Sequence, residues 1–572
     1  MQTNKIKLVI CWHMHQPHYR DGLDGQYRLP WVYLHAIKDY SDMAAHLENH
    51  PQARVVVNFA PVLLEQLEDY AATMRGWLAN HQPMSDPLLN LVAGVTPISD
   101  DLAQRLDIVQ ACSKAFTPTM IDVFPPFRKL LDMAQRDQLT DVASASGLAY
   151  FKPAFFTDLL IWYHLAWMGQ SVRKTDSRVE TLIQKGLAGE PFTGADQRTL
   201  INIMADVIEE LVPRYRALAE RGQIEISMTP YGHPIVPLLI DFNSARDAMP
   251  YVALPEHTGY PDGRERARWH LQHGMDIYQR FFGTRPTGVW LSEGSVSAAA
   301  VALLDEFDFR WTASGEGVWR HSCEASRLDQ HDISSKRALY QPMRHHEQNC
   351  ALFFRDDGMS DLIGFEYKSW NPQDAANNFA HNLTNIANHL GERVNEHVVA
   401  VILDGENPWE YFPDNGYQFL DTFYETLSAH PRVQMTTFSD ALDQGARVQS
   451  LCELKAGSWV YGSFSTWIGD KDKNIGWDLL VDAKQAYDRV WPTLDPEQQQ
   501  AATHQLAICE GSDWFWWFGD YNPADSVRDF TRMYRRHLER LYQLLLLPPP
   551  ASLDRLQSSG SQSAHAGTMI RN

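Results

Sequence analysis

Two carboxylates, Glu293 and Asp404, follow apolar segments at widely separated points of the sequence. Asp404 closes the segment VVAVILD, in which residues 398–403 are all apolar. A run that is apolar on both faces predicts a central parallel strand, and ligands bind at the carboxyl ends of such strands. Glu293 stands between a short predicted strand and a helix expected to begin near Ser295. Two carboxylates brought together at strand ends could cleave a glycosidic bond, one as proton donor and the other as nucleophile or base.

Imidazoles and indoles occur near the same predicted strand ends. His13 and His15 follow the first strand and alternate by two residues, so they point to one side. His233 follows another strand in YGHPI, and Trp514 lies in the aromatic run DWFWWF. Aromatic faces that stack on sugar rings, beside carboxylates that bond hydroxyl groups, are typical of sugar binding. A barrel would bring these strand ends into one pocket.

Each of these residues also has a purely structural interpretation. Glu293 could be an acid at a helix N-terminus, which the helix dipole favours, and Asp404 could turn the chain together with Gly405. His13 and His15 could be core histidines or half of a metal site, and DWFWWF is more often core packing than a binding platform. Only the joint placement of these residues at strand ends favours an enzyme.

The elements that must position these residues form an alternation of strands and helices with one large insertion. Such an alternation indicates an α/β fold, and a closed barrel is its expected form. We predict a catalytic barrel over residues 1–446, a mainly helical insertion at about 62–222, a C-terminal helical domain at 447–548 and a disordered tail at 549–572. The eight predicted strands are residues 7–12, 53–59, 223–229, 287–291, 309–314, 350–355, 397–403 and 432–437.

The composition favours a neutral substrate. The 572 residues carry a net charge of −21, which argues against nucleic acid or an anionic membrane as a partner, because both are negatively charged. The sequence contains no apolar stretch long enough for a signal-peptide core or a membrane span, and its six dispersed cysteines include no CxxC pair and no zinc cage. We therefore expect a cytoplasmic protein with reduced thiols. The oligomeric state does not follow from the sequence.

Five separated segments resemble one known enzyme family. HMHQPH, YGHPI, GVWLSEGSVS, ILDGENPWE and EGSDWFWWFG occur in the order and chemical character of the five sequence regions of glycoside hydrolase family 57, and FRDDGMSDLIGFEY is also similar to that family. The match spans roughly residues 7–545. The resemblance implies an incomplete (β/α)7 barrel, TIM-like, followed by a helical domain that completes the active site. It also implies a retaining mechanism on α-glucans without a metal or an organic cofactor.

The same resemblance implies roles for individual residues. Glu293 in WLSEGS matches the catalytic nucleophile, and Asp404 in LDGENPWE matches the general acid/base. The other motif residues are expected at the sugar-binding pocket, with no metal ligand among them. These substrate-binding residues are His13, His15, His233, Trp290, Glu406, Trp409, Asp513 and Trp514.

The molecule that accepts the sugar decides between the remaining possibilities. Water as acceptor would make the protein an α-amylase or amylopullulanase-like hydrolase of α-1,4 and possibly α-1,6 bonds. The sequences of the motifs favour this possibility. A glucan hydroxyl would make it a 4-α-glucanotransferase or a branching enzyme. Two other classes stay open: a metal-dependent polysaccharide deacetylase, and a non-catalytic glucan-binding protein, which would not need both acids.

Overall fold

A ring of parallel strands forms the centre of the protein. The computed structural model describes residues 4–135, 142 and 144–561. The first strand has nine residues, all of them buried. In chain order the strands are β1 (Ile6–Met14), β2 (Val55–Phe59), β3 (Ile224–Met228), β4 (Trp311–Ser314), β5 (Met343–His345), β6 (Ala351–Phe354), β7 (Val398–Asp404), β8 (Val433–Thr436) and β9 (Gln449–Leu451).

The long strand β1 organises the first sheet. It pairs with β7 over most of its length, from Lys7 opposite Val398 to His13 opposite Asp404. β8 pairs with the first half of β1 and β2 with its second half, while β2 in turn pairs with β3. All these pairings are parallel, so the carboxyl ends of β1, β2, β3 and β7 lie at the same end of the sheet.

Single parallel bridges join this sheet to a second one and complete the ring. The second sheet has the strand order β4-β6-β5-β9, in which β4 and β6 are parallel. The bridges are Met228↔Val289, Gly288↔Trp311 and Arg355↔Ala400. Residues 288–290 therefore act as a seventh parallel segment beside β1, β2, β3, β4, β6 and β7. The predicted incomplete (β/α)7 barrel is confirmed, and β8 is the predicted strand that lies outside the ring.

The predicted strand at residues 287–291 bridges its neighbours only at single positions. A side chain at position 288 would collide with the indole of Trp311, so only glycine fits there. The chain then turns at Ser292–Gly294. Because the indole lies against the backbone and a turn follows directly, this segment does not form a continuous ladder of backbone hydrogen bonds with its neighbours.

Side chains alternate along the strands between the inside of the ring and the surrounding helices. The inner cluster includes Val9, Cys11, Val56, Trp290, Ala400 and Ile402. The same period of two continues to His13 in β1 and to Asp404 in β7. Each of these two strands therefore carries a row of inward-facing apolar side chains, and each row ends in a polar residue.

The segment between β2 and β3 consists of helices. The longest of them, Gly194–Glu220, begins with a capping box in which Thr193 and Asp196 bond each other's backbone. Its buried side chains recur at helical spacing, so one face packs inward. The α-helices of this segment are Pro61–Asn80, Pro87–Val92, Leu102–Cys112, Pro125–Ala134, Pro153–Ala166, Gln170–Thr175, Ser177–Leu187 and Gly194–Glu220.

The remaining helices flank the ring or form the C-terminal region. Among the described residues no helix combines the length and apolarity needed to cross a membrane. Around the ring lie Trp31–His35, Ser41–Asn49, Val236–Ile240, Gly263–Phe282, Ala298–Glu306, Glu316–Ala325, Gln330–Ser334, Asp357–Asp361, Pro372–Leu390, Tyr417–Ala429 and Phe438–Asp443. The C-terminal α-helices are Lys471–Val490, Pro496–Cys509, Ser512–Trp517 and Ala524–Leu544. The domain division at residue 446 stays a prediction.

Residues 549–561 are more ordered than their composition predicts. Residues 549–561 were expected to be part of a disordered tail, yet Ala551–Arg555 form a 3-10 helix. Leu553 and Leu556 are buried, and Ser561 bridges to Pro523. The two leucines bury apolar surface against the core, which offsets the entropy cost of ordering a proline- and serine-rich segment. Residues 562–572 lie outside the described residues.

Candidate active site

Glu293 lies in a tight turn and not in a helix. The turn Ser292–Gly294 gives it a left-handed backbone with φ of 59°. For a residue other than glycine this conformation costs about 1–2 kcal/mol, so the surrounding structure has to hold it in place. The next helix begins at Ala298 and has Ser297 as its N-cap. The helix-dipole interpretation of Glu293 therefore does not apply.

Trp459 holds Glu293 at two points. Its indole Nε1–H donates to Glu293 Oε2 at 2.9 Å, and its backbone N–H donates to the Glu293 carbonyl oxygen at 3.0 Å. The indole also packs edge-on against Trp290, with ring centroids 5.2 Å apart. Sequence reasoning missed Trp459, because it lies outside the recognised motifs. The only signal was an aromatic pair between glycines in GSWVYGS.

Asp404 is the last residue of β7 and lies beside His13, its partner in strand register. Asn407 Nδ2 donates to Asp404 Oδ2 at 2.7 Å. The chain then passes so near β1 that a side chain at Gly405 would collide with the sulfur of Met14. Glycine at this position is therefore needed for close packing, which keeps Asp404 at the wall of the ring.

Burial raises the pKa of both carboxyls. It raises the pKa of Glu293 to about 8, with a further increase from the charge of Asp404 and an opposing effect of the Trp459 hydrogen bond. It raises the pKa of Asp404 to about 6, against the hydrogen bond from Asn407 and the charge of His15. Between these two pKa values the pair holds one proton and one negative charge.

Arg355 compensates Asp404 only in part, because its guanidinium is already paired. Nη1 donates to Asp357 Oδ1 at 2.6 Å, and Nη2 donates to Asp361 Oδ1 at 3.0 Å. Nε donates to the carbonyl oxygen of Ile402 at 2.8 Å. The segment FRDDGMSD thus supplies a buried cation together with the acids that balance it.

Three imidazoles stack at the carboxyl ends of the strands. His15 and His233 are nearly parallel, with ring centroids 3.8 Å apart, and His13 lies 5.4 Å from His233. His13 Nδ1 hydrogen-bonds Asn58 Oδ1 of β2 at 2.6 Å. Burial lowers the pKa of His13 to about 3 and lowers the pKa of His233 as well, with added repulsion from the neighbouring histidines. Both rings are therefore neutral at pH 7 and suit a neutral ligand.

The C-terminal helical region reaches this pocket through Ser512 and Asp513. His15 Nε2 and Asp513 Oδ1 are 2.9 Å apart, and His233 Nδ1 and Ser512 Oγ are 2.7 Å apart. The backbone N–H of Ser512 donates to the carbonyl oxygen of His233, whose own φ is 58°. The fifth motif therefore contributes polar contacts to the histidines of the first and second motifs.

His15, His233 and Asp513 are also the pocket residues that could hold a metal ion, since their donor atoms lie within 4.8 Å of one another. Among the described residues, His15 Nδ1 and His233 Nε2 are buried atoms that lack a hydrogen-bond partner. Sugar hydroxyl groups could pair with such nitrogens as well as a metal could. The donor set alone therefore does not select between a metal and a sugar.

Two of the predicted sugar-binding tryptophans lie in the core instead. Trp514 is 1% exposed, and its indole N–H donates to the carbonyl oxygen of Ile508 at 2.8 Å. It packs against the helix Ala524–Leu544. Trp409 is also 1% exposed and packs edge-on against Trp12 at 5.6 Å. Both indoles are covered by protein and leave no free face for a sugar ring in this structure, and their sugar-binding role stays a prediction.

Glu406 and Trp290 lie close to the proposed acids. Gln16 Nε2 donates to Glu406 Oε1 at 3.1 Å, and burial raises the pKa of Glu406 well above its usual value, aided by the charge of Asp404. Trp290 is fully buried in the inner cluster, 6.4 Å from the ring of His13. Trp290 is therefore covered by protein like Trp409 and Trp514, while Glu406 adds a third carboxyl near Asp404.

Buried paired carboxyls and neutral imidazoles at the carboxyl ends of parallel strands define a barrel enzyme of the glycoside hydrolase type. The chain belongs to glycosyl hydrolase family 57, whose family model matches residues 9–452. The predicted family is thereby confirmed, and four of the five motifs lie within the matched residues, whereas the fifth, at residues 510–519, lies beyond them. The comparison with curated proteins finds no match.

Solved structures of three enzymes share the fold. A branching enzyme of Pyrococcus horikoshii has a TM-score of 0.55 at 14% identity, covering 96% of this chain and 94% of that one. The α-amylase AmyC of Thermotoga maritima has a TM-score of 0.54 at 13% identity, with coverages of 94% and 93%. A 4-alpha-glucanotransferase of Thermococcus litoralis has a TM-score of 0.50 at 13% identity, with coverages of 94% and 60%. Likeness at these identities shows the fold alone.

Proposed function

We propose that this protein cleaves α-glucosidic bonds of α-glucans by a retaining mechanism. Asp404 protonates the departing oxygen while Glu293 attacks the anomeric carbon, and Asp404 then takes a proton from the acceptor that releases the sugar. The observation that carries the proposal is a pair of partly buried carboxyls with raised pKa at the ends of two different strand segments. Such a pair can supply both the proton and the nucleophile.

The two pKa values add a requirement to these roles. Glu293 has the higher pKa, so in the free protein it is the last of the pair to lose its proton. The proposed roles need that proton on Asp404, beside the glycosidic oxygen. The indole N–H of Trp459 favours this arrangement, because it donates to Glu293 Oε2 and stabilises the ionised form. The proposed roles therefore require the shared proton of the pair to lie on Asp404 when the substrate is bound.

A neutral glucan suits the rest of the pocket. His13 and His233 are neutral at pH 7, so they can hydrogen-bond hydroxyl groups without a net charge. The net charge of −21 disfavours anionic substrates. The names of the fold relatives, an α-amylase, a branching enzyme and a 4-alpha-glucanotransferase, support an α-glucan. The chemistry proposed uses only side chains of this chain.

Water is the acceptor we propose, which makes the protein a hydrolase of α-1,4 bonds, with α-1,6 bonds as a second specificity. Transfer to a glucan hydroxyl is the alternative, as in a 4-α-glucanotransferase or a branching enzyme. Both outcomes use the same glycosyl-enzyme, so the acceptor and not the acid pair decides between them.

Product analysis tests this proposal. The protein is incubated with amylose, pullulan and maltooligosaccharides, the products are separated by chromatography, and reducing ends are counted, with Glu293→Gln as the inactive control. Hydrolysis gives shorter products and new reducing ends. Transfer gives longer or branched products at a constant number of reducing ends. Unchanged glucans together with acetate release from an acetylated polysaccharide would contradict the proposal and favour the deacetylase.

A further inference from the structure

Three polar side chains from three distant parts of the chain meet on the outside of the barrel. Glu65 comes from the first helix of the insertion, Pro61–Asn80, and His273 comes from the helix Gly263–Phe282. His504 comes from Pro496–Cys509 in the C-terminal region. Each side chain offers one donor atom, and these atoms lie within 4.8 Å of one another.

The Tyr231 hydroxyl hydrogen-bonds two of these three side chains. It donates to Glu65 Oε2 at 2.9 Å and hydrogen-bonds His504 Nε2, which itself lies 3.8 Å from Glu65 Oε2. His273 is not included in that network. Among the described residues its Nε2 has no hydrogen-bond partner, although the atom is buried. A buried nitrogen without a hydrogen-bond partner, on a ring beside a carboxylate and a second imidazole, is available to bind a ligand.

The ring of His273 is held in place by its aromatic neighbours. Trp269 stacks on it with centroids 4.6 Å apart, and Tyr231 contacts its edge at the same distance. Glu65 and His504 are about one third exposed, so solvent reaches the group from one side. One fixed ligand and two adjustable ones form a site that an ion can enter and that can close around it.

We propose that Glu65, His273 and His504 bind a divalent transition-metal ion of the zinc type. Two imidazoles and one carboxylate are a ligand set that zinc accepts, and water can fill the fourth position. Tetrahedral coordination at about 2.0–2.1 Å separates the donor atoms by roughly 3.3 Å. Donor atoms that lie within 4.8 Å of one another therefore approach by at most about 1.5 Å when the ion binds, which rotation of the two exposed side chains provides.

The proposed ion ties the insertion, a barrel helix and the C-terminal region together. The helix that carries His504 ends at Cys509, and the chain then enters the active site through Ser512 and Asp513. The ion therefore stabilises the placement of the C-terminal contacts without touching the proposed acids. We expect zinc to raise the melting temperature, while the initial rate at moderate temperature stays within about twofold after zinc removal.

Zinc titration of the whole chain tests the site. Protein freed of metal by dialysis against a chelator is titrated with Zn²⁺ in competition with a chromogenic chelator, in the wild type and in folded His504→Ala and His273→Ala variants. Each variant should lose one equivalent of zinc or bind it at least about 100-fold more weakly. The matched control is His257→Ala, because His257 Nε2 lies 2.9 Å from Asp482 Oδ1 at similar exposure, outside this group.

The number of zinc equivalents lost decides the outcome. Loss of one equivalent in both variants, but not in His257→Ala, supports the site. Equal zinc binding in wild type and His504→Ala overturns it, as does a wild type that binds no zinc. Asp513→Asn separates the catalytic pocket: a single zinc lost in this variant and retained in His504→Ala also overturns the proposal. Glu65→Gln, which keeps the side-chain shape, gives the same reading if either histidine variant does not fold.

Discussion

Two carboxyl sites differ in their charged neighbours. Glu510 is 0% exposed, and its oxygens accept hydrogen bonds from Arg266, His270 and Tyr260. Burial by itself would raise its pKa, but the charge and hydrogen bonds of Arg266 and His270 lower that pKa to about 2. Glu293 is partly buried and receives one indole N–H, and burial raises its pKa to about 8.

Because burial acts in the same direction on both pKa values, the adjacent cation is what separates the structural acid from the reactive one. Glu510 stays ionised because Arg266 repays the cost of its desolvation, so it fixes the C-terminal region on the barrel. Glu293 and Asp404 share a pocket in which the nearby cation Arg355 is already occupied by two aspartates. Their protons can therefore move in the neutral pH range, which acid–base catalysis requires.

Removing the reactive carboxyls should have the largest effect. Glu293→Gln leaves nothing to attack the anomeric carbon, so turnover of both starch and α-maltosyl fluoride should fall by at least about 1000-fold. Asp404→Ala should fail on starch yet react with the fluoride, whose departure needs little protonation. Initial rates on the two substrates measure this contrast.

The covalent intermediate tests the assignment of roles. In Asp404→Ala treated with the fluoride, mass spectrometry should find added sugar mass on the peptide that contains Glu293, and azide should speed turnover and give an α-glycosyl azide, because it attacks from the face opposite the β-linked ester. Sugar mass on the Asp404 peptide in Glu293→Ala would mean that the roles are reversed. No adduct in either variant would indicate a single-step inverting reaction.

Removing the charge of Glu510 should cost mainly stability. Glu510→Gln leaves Arg266 buried without its counter-charge, and we expect a loss of about 3–5 kcal/mol in the free energy of unfolding. The matched control is Glu306→Gln, which breaks exposed ion pairs with Arg264 and Arg268 and should leave the free energy of unfolding nearly unchanged. Denaturant unfolding measures both. Equal losses in the two variants would remove the contrast between the buried and exposed pairs.

Glu510 and Glu293 should make the free energy of unfolding depend on pH with opposite slopes, in two different pH ranges. The folded pKa of Glu510 lies near 2, below its ordinary 4.5, so its stabilising contribution is present above pH 4.5 and is lost as the pH falls toward 2. The folded pKa of Glu293 lies near 8, so the free energy of unfolding should decrease as the pH rises from 4.5 to 8. Unfolding of Glu293→Gln across that second window should show a smaller decrease than the wild type.

The same pair should bound the activity profile. Below the lower pKa of about 6 both carboxyls are protonated and no nucleophile is left, and above the higher pKa of about 8 both are ionised and no proton donor is left. A plot of kcat/KM against pH should therefore be bell-shaped with limbs near these values. A flat profile through pH 8 would contradict the pairing of the two groups.

Trp459 should have the smallest effect of this set. Trp459→Phe keeps the ring but removes the N–H that donates to Glu293 Oε2, and the loss of that hydrogen bond should raise the pKa of Glu293 further. We expect kcat to fall about tenfold and the alkaline limb to move upward. Trp514→Phe, a change in the core, should leave the alkaline limb in place. A shift of equal size in both variants would assign the effect to packing.

Local patterns predicted the framework well, while long-range contacts were out of their reach. The apolar run before Asp404 was informative because both faces of β7 are buried. The left-handed turn of Glu293 depends on Trp459, which lies 166 residues away in sequence, so no local signal announces it. The burial of Trp514 does not follow from composition, which does not distinguish a core indole from an exposed one. The burial of Leu556 was not predicted, because the apolar residues that cover it lie outside the tail.

The pairing of β1 with β7 has a consequence for how the chain is made. Gln16 and Glu406, which hydrogen-bond beside the proposed acid, are 390 residues apart in sequence. At about 5–20 residues per second, a ribosome needs roughly 20–80 s to synthesise that interval. During this time β1 has no β7 to pair with. Its nine residues, most of them apolar, form a free strand edge that is prone to aggregation. The nascent chain is therefore expected to depend on a chaperone until the second half of the barrel emerges.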